Sequence, residues 1–587
     1  MGRFALGIKQ PLVGDDDEVV GTVTMLVSED TNAVSDYVNE HSPQAMRTKK
    51  TKTGIVLHPQ PHDDPNDPLN WPRWRRDTAL AVIGFHCFIG GGQTPILASG
   101  FKSMATEFDV TLSKLAYLVG GFMLALGVGS VVSAPVAILY GKRFTYLAGV
   151  VVLFVGSIWA GLSHSYASLL GARVLSGLGV SPCESLPSAT IAEIYFLHER
   201  AYRVGIYTLL LLGGKNILPL VSGFVISDLG WNWVFWLLAI VVGLNFVLVF
   251  LFVPETFWDR SPVPHDRRSQ KETESAREAF SRSGRSRSSL SVTLHVRAPP
   301  PDAEKDPPLS VSDHSSPTVA AAGRHAHFGP DADKAEPAKR TFVQELRVFS
   351  GRHTRDPFWK VACRPFVLFL YPAVLFATVL YSMSVVWLIV MSESLSEIFE
   401  NDHYRMSATS VGLLYVSPFV GGILGTAAAG RVSDVIVRYL IRRNNGTYEP
   451  EFRLVMVLFV ALSVTIGLMG FGWSAYEEDA WIVPTVFFGV ISFGCCLGST
   501  TAITFAVDSY RMYAGEALVT INFSKNVLGF VFSLFTNSFL DRAGYRTTFL
   551  TFGGIQLAIC LFAVPLYVYG KCLRHWTERK QFMYYLA

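Results

Sequence analysis

Twelve apolar runs dominate this chain of 587 residues, each close to the twenty or so residues that a helix needs to cross a hydrocarbon core. They fall at roughly 78–100, 115–139, 144–163, 168–194, 203–226, 231–253, 365–390, 408–429, 454–472, 481–507, 515–539 and 547–570. Their order is six, a long polar gap, then six. The runs are continuous, not alternating, which excludes a porin-like barrel. Charge follows the same division. Residues 1–70 and 255–364 hold 51 of the 97 charged side chains, and the other 407 residues hold 46. That is about 11%, against roughly 25% in soluble domains. The chain therefore reads as an integral membrane protein, and a secreted or nucleic-acid-binding one is disfavoured. A net charge of +3 implies no acidic partner. The seven cysteines lie in or beside the apolar runs without a metal-type spacing, so neither a metal centre nor a disulfide framework is expected. The first 70 residues are polar and acidic, and no signal peptide is read there.

The expected organisation is a disordered tail (1–70), a six-helix bundle (71–254), a largely disordered central loop (255–364), a second six-helix bundle (365–570) and a short tail (571–587). Short loops on the side of the termini hold ten Lys and Arg against five on the other side, which predicts both termini and the central loop to be cytoplasmic. The stretch 260–340 is rich in Ser, Arg and Pro and lacks hydrophobic periodicity. Its Arg-flanked serines are candidate kinase sites; an inert linker is the alternative. The partners expected are the bilayer and a small-molecule substrate, with the chain as a monomer.

The two halves resemble each other. Gly214-Lys215-Asn216-Ile217-Leu218 parallels Ser524-Lys525-Asn526-Val527-Leu528. Glu193-Ile194-Tyr195 parallels Asp508-Ser509-Tyr510, and Asp228-Leu229-Gly230-Trp231 parallels Asp541-Arg542-Ala543-Gly544-Tyr545. Repeats of one orientation place a pseudo-two-fold axis along the membrane normal, with a site between the halves at mid-depth.

Residues 67–570 resemble the major facilitator superfamily, and within it the fungal twelve-span drug:proton antiporter branch of polyamine and secondary-metabolite type. The residues that carry this are Asp67-Pro68-Leu69-Asn70-Trp71-Pro72-x-Trp74, Arg173-x-Leu175-x-Gly177-x-Gly179, Pro254-Glu255-Thr256, and the string from Arg442 to Leu454 between the eighth and ninth runs. The resemblance implies an all-α fold with twelve transmembrane helices in two pseudo-symmetric six-helix bundles, no enzymatic activity and no cofactor beyond a proton gradient. It also implies a gate at the cytoplasmic ends. There the family pattern keeps an Asp before Gly141-Lys142-Arg143, but Ile138 takes its place; the second-half counterpart survives as Asp434 with Arg438. Glu193 and Asp508, with Arg203 and Arg511 nearby, are further gate candidates. The helix-5 antiporter motif is partial, with Leu218-Pro219 and Gly223.

Ionisable groups inside a span are costly and so are functional candidates. Arg173, Glu184, Lys215 and Lys525 qualify. Glu184 and Lys215 lie at equal depth in successive helices, which permits an ion pair. Two readings stay open: Glu184 exchanges a proton, Lys215 and a substrate group, or the pair is a permanent tie. Asn216 and Asn526 adjoin the two lysines. His86, Gln93 and Thr94 of the first run, Tyr381 and Trp387 of the seventh and Tyr415 of the eighth complete the candidate cavity residues. The leading expectation is proton-coupled efflux of a drug, toxin or fungal metabolite at the plasma membrane, a vacuolar site being the other location. Import of polyamines or other cationic nutrients is the second, and a non-transporting nutrient sensor the third. Gly213-Gly214-Lys215-Asn216 is no nucleotide loop, and no hydrolase motif is present.

Overall fold

The computed structural model describes residues 4–11, 19–24, 59, 61–62, 64–258, 339–349, 351–354, 356–401, 403–444, 446–580 and 582–583. The serine-rich stretch, with its candidate kinase sites, lies outside the described residues except for 339 and 340.

Among the described residues, nine helices are long and apolar enough to cross a membrane. They include α2 (Leu112–Tyr140), α3 (Lys142–Gly161), α5 (Leu197–Leu229), α6 (Trp231–Phe252), α7 (Pro372–Phe399), α8 (Val416–Arg443), α9 (Met456–Tyr476) and α10 (Ile482–Ser509). The ninth turns at Gly544 and so makes two passes, α11 (514–543) and α12 (545–580). Two further passes fall short of that apolarity, α1 (Arg73–Gly92) and α4 (Tyr166–Ser185). The result is twelve passes, six on each side of the central loop. The first pass bends through Gln93–Leu97 and resumes as Phe101–Phe108; the fourth breaks at Leu186 and resumes as Pro187–Ile194.

The passes join by tight reversals. Gly141, Gly230 and Gly544 have φ of 96°, 91° and 74° with ψ of 155°, 163° and 163°. This region is closed to residues with a Cβ. Gly230 and Gly544 are repeat equivalents, so the internal symmetry extends to backbone geometry. Small residues set helix spacing within each bundle. A Cβ on Gly177 of α4 would lie 2.3 Å from the Phe122 carbonyl oxygen of α2, and one on Gly421 of α8 would lie 2.1 Å from the Gly489 carbonyl oxygen of α10.

The bundles meet closely toward the face opposite the termini, here the distal face. Ser533 Oγ of α11 lies 2.9 Å from the Ala116 carbonyl oxygen of α2, and Ser538 Oγ lies 3.4 Å from Ser113 Oγ. Lys102 Nζ reaches the Glu400 carbonyl. At the face of the termini, by contrast, several ion pairs tie helices of one bundle together. Lys142 of α3 pairs with Glu193 at 2.8 Å, and Arg453 before α9 pairs with Asp508 of α10 at 2.5 Å. These are again repeat equivalents.

The tail 1–70 is not featureless. Phe4–Ala5 (β1) and Ile8–Lys9 (β2) form a hairpin whose Leu6 carbonyl accepts from Tyr567. Val23–Thr24 (β3) pairs with Thr447–Tyr448 (β4), and Arg574 of α12 reaches the Val20 carbonyl. Alternating polarity over two-residue strands is too brief to register in a sequence scan, so this docking onto the second bundle corrects the expectation of a wholly disordered tail. The string before the first pass has a local cause. Asp67 caps the turn Pro68–Asn70 by accepting from Leu69 N at 3.0 Å and from His62 N at 2.8 Å.

Candidate functional site

The bend in pass 1 and the break in pass 4 leave a cavity between the bundles. It is lined by Thr94, Pro95, Glu184, Lys215, Asn216, Glu393, Tyr415, Lys525 and apolar side chains that include Phe101, Met123, Leu388 and Phe488. About 40 Å³ of it admits the centre of a water-sized sphere. That is room for a few waters and not for an organic molecule. The bundles are thus contracted around the site.

Glu184 ends α4 and crosses to the other bundle. Its Oε1 lies 2.5 Å from Lys525 Nζ and its Oε2 accepts from Asn526 Nδ2 at 3.2 Å. Its own carbonyl accepts from Asn522 Nδ2 at 3.2 Å. The side chains of Glu184 and Lys525 are 8% and 2% exposed. This corrects the expected Glu184–Lys215 pair: equal depth in neighbouring helices permitted it, but the α11 ammonium sits closer. Lys215 lines the cavity half-buried and makes no ion pair among the described residues. Asn216 turns back to the Leu212 carbonyl at 3.1 Å.

The other intramembrane candidates divide. Arg173 is fully buried, donates from Nη2 to the Gln93 carbonyl at 2.7 Å and stacks 4.4 Å over Phe122. It caps the carbonyl end of α1 at the bend, which is the structural reading of this residue. Its Nε and Nη1 and both amide atoms of Gln93 have no hydrogen-bond partner among the described residues. His86 lies inside the first bundle: Nδ1 accepts from Asn245 Nδ2 at 2.9 Å and Nε2 faces Cys183 Sγ at 3.0 Å. Trp387 is core of the second bundle, with Nε1 donating to Gln556 at 2.7 Å and its ring against Phe532 and Phe552. Tyr381 packs against the cores of both bundles. Of the candidates from the first, seventh and eighth runs, Thr94 and Tyr415 line the cavity itself.

One cavity carboxyl escaped the sequence reading. Glu393 is 2% exposed, with Oε1 against Ser533 Oγ and Oε2 without a partner among the described residues. The apolar run ends near residue 390, which placed Glu393 in a loop. The signal lay in the spacing of Glu393, Glu397 and Glu400, which continues one helix face to Phe399.

At the face of the termini the partners differ from those expected. Glu193 pairs with Lys142 and accepts from Thr256 Oγ1 at 2.7 Å. Arg203 pairs with Asp77 at 3.2 Å. Asp508 takes Arg453 and the Tyr448 hydroxyl, while Arg511 is exposed. Asp434 and Arg438 are both exposed, and Arg438 Nε donates to the Asp434 backbone carbonyl at 3.1 Å, not to the carboxylate. Ile138 stands where the family pattern has an Asp, and Glu255 supplies an anion to the N-terminus of α3. Its carboxylate accepts from Lys142 N and Arg143 N, both at 3.1 Å, and so caps α3 beside Gly141. Arg143 turns inward to the Phe250 carbonyl at 2.7 Å.

Known proteins share this architecture. The D-xylose–proton symporter superposes with a TM-score of 0.54 at 15% identity, covering 83% of this chain and 97% of that one. An uncharacterised MFS-type transporter of Schizosaccharomyces pombe is 26% identical over 93% of this chain and 92% of its own length. Protein HOL1 of Saccharomyces cerevisiae is 24% identical over 91% and 92%, and efflux pump radE of Floropilus chiversii is 25% identical over 87% and 83%. The sequence profile of the Major Facilitator Superfamily matches residues 81–533. With twelve passes in two related halves around one mid-membrane cavity, this chain belongs to the major facilitator superfamily.

Proposed function

We propose that this transporter is a proton-coupled exporter of a largely apolar small organic molecule, of the drug, toxin or secondary-metabolite kind, that carries an acidic or hydrogen-bond-accepting group. The observation that carries the reading is Lys215, an ammonium that lines the cavity and makes no ion pair among the described residues. Glu184 is already engaged by Lys525 and Asn526, so it offers little to a cation. In this reading the face of the termini is cytoplasmic, as the Lys/Arg bias suggests. Substrate enters there, its acceptor group meets Lys215, and the bundles rock about the Glu184–Lys525 bridge. The efflux pump among the relatives supports the direction. A polyamine substrate is disfavoured because two ammonium groups, Lys215 and Lys525, already face the cavity.

The test is transport in proteoliposomes with an imposed pH gradient. Fluorescein serves as an aromatic anion and spermidine as a polycation. Fluorescein moves against the proton gradient, and Lys215→Ala lowers its rate by about tenfold, the equivalent of one lost charge-assisted contact. Uptake of spermidine with fluorescein unmoved would replace this reading by cation import.

A further inference from the structure

Glu393, Glu397 and Glu400 follow one another at i, i+4 and i+7 on α7, so they share a face over about 10 Å. Glu393 lies at the cavity, and Glu397 also has a buried Oε2 without a hydrogen-bond partner among the described residues. Glu400 opens into a cleft at the distal face beside Ser103 and Arg405. The hydrogen bonds around Glu393 fix its protonation. Ser533 Oγ touches two oxygens at once, Glu393 Oε1 and the Ala116 carbonyl of α2. A serine hydroxyl carries one proton, and a carbonyl only accepts. With that proton given to Ala116, the proton between Ser533 and Glu393 belongs to Glu393. The carboxyl is then a neutral acid, in keeping with its making no ion pair of its own among the described residues.

We propose that Glu393 is the proton-binding site of the transport cycle, occupied while the bundles are closed at the distal face, with Glu397 and Glu400 as its route to solvent there. The proposal rests on the reading of this chain as a proton-coupled carrier and names the group that couples. Loss of the proton leaves Glu393 ionised. It then draws the Ser533 hydroxyl proton to itself, and the Ala116 carbonyl loses its donor. The proton is loaded from the distal side along the same helix face: it passes from the cleft to Glu400, then to Glu397, about 6 Å along the axis from Glu393. Deprotonation therefore loosens α11 from α2 at the distal face. The charged and titratable groups around Glu393 are Tyr415 of α8, Lys525 of α11 and, across the cavity, Glu184 of α4 and Lys215 of α5. Pass 1, α2 and α10 present Phe101, Met123 and Phe488 to the cavity. Asp541 and Tyr545 face Glu397, and Lys102 faces Glu400.

The ligand is the proton, so no substrate is needed for the test. Infrared difference titration of the full chain in nanodiscs reads the carbonyl band of protonated carboxylic acids. One such band bleaches on alkalinisation, and E393Q removes it while E393D keeps it, which separates a lost proton site from a lost fold. E397Q and E400Q slow its response to a pH step at the distal face. A second readout uses S113C/S538C, whose parent hydroxyls lie 3.4 Å apart across the bundles. Their cross-linking falls as pH rises, and it stays high at every pH when E393Q is added. Retention by E393Q of either the parent band or the parent cross-linking profile overturns the proposal. Neither readout involves cargo: spermidine uptake in the fluorescein assay would overturn only the export reading.

Discussion

A buried charge in a membrane protein is stable only where another group answers it, and Glu184 and Lys525 answer each other across the two bundles. Removing one partner leaves the other uncompensated; removing both leaves neither. Glu184→Gln and Lys525→Met should each lower thermal stability in detergent by the equivalent of about 3–5 kcal/mol, with the double substitution recovering a large part. Additive losses in the unfolding midpoints would show that the bridge is not a pair in solution. Glu400, just beyond the end of α7, makes a pH prediction. Burial pushes its carboxyl up to about 7, against the opposing effects of Ser396 and Lys102. A carboxyl whose folded value exceeds its unfolded one, near 4.5, binds more protons folded than unfolded between those values. Stability should therefore fall as pH rises from about 4.5 to 7, and E400Q should flatten that slope in a Tm-against-pH series. The sequence singled out Glu184, Lys525 and Asn526 because intramembrane polar groups stand out against an apolar run. It could not pair them, because the contact joins residues 341 positions apart and rests on how the bundles dock. Glu393 was hidden by the opposite effect: a charge near the end of an apolar run looks like the start of a loop.

At the scale of the element, the spans were legible because a bilayer imposes length and apolarity on each pass separately. Their ends were less so. α7 runs on to Phe399 and α8 to Arg443, since a helix does not stop where hydrophobicity does. The reversals at Gly141, Gly230 and Gly544 give a graded test. At Gly230 and Gly544 an added Cβ meets nothing within 4 Å, so an Ala there carries only backbone strain, about 1–3 kcal/mol. At Gly141 the same atom would come within 2.3 Å of the Glu255 carboxylate that caps α3. G230A and G544A should therefore lower Tm by similar amounts and G141A by more. Equal losses at all three would mean that the Glu255 cap contributes nothing. The anion at the N-terminus of α3 comes from the end of α6, a pairing of residues 113 positions apart that no local pattern in the sequence displays.

For the whole molecule, the decisive property is which half of the interface between bundles is tight. The repeat and the family pattern point to two related halves, but a state is an energy difference between two packings of one sequence, and no residue pattern records it. Here the distal half is tight: a Cβ on Gly223 of α5 would lie 2.8 Å from the Ala408 carbonyl oxygen and 3.2 Å from Gly412 Cα. Both neighbours are backbone and cannot swing aside. A valine at position 223 would overpack this contact only while the distal face is closed. Overpacking of this kind costs about 1–3 kcal/mol, which as a bias between two states is about 5- to 150-fold. The protein should therefore shift toward a distally open form and remain folded. The measurement is labelling of A98C, whose parent Ala98 is 2% exposed and lines the cavity, by a membrane-impermeant thiol reagent added at the distal face. G223V should raise the labelling rate within that range without lowering Tm in proportion. An unchanged rate would mean that the contact of α5 with residues 408–412 is not part of the gate.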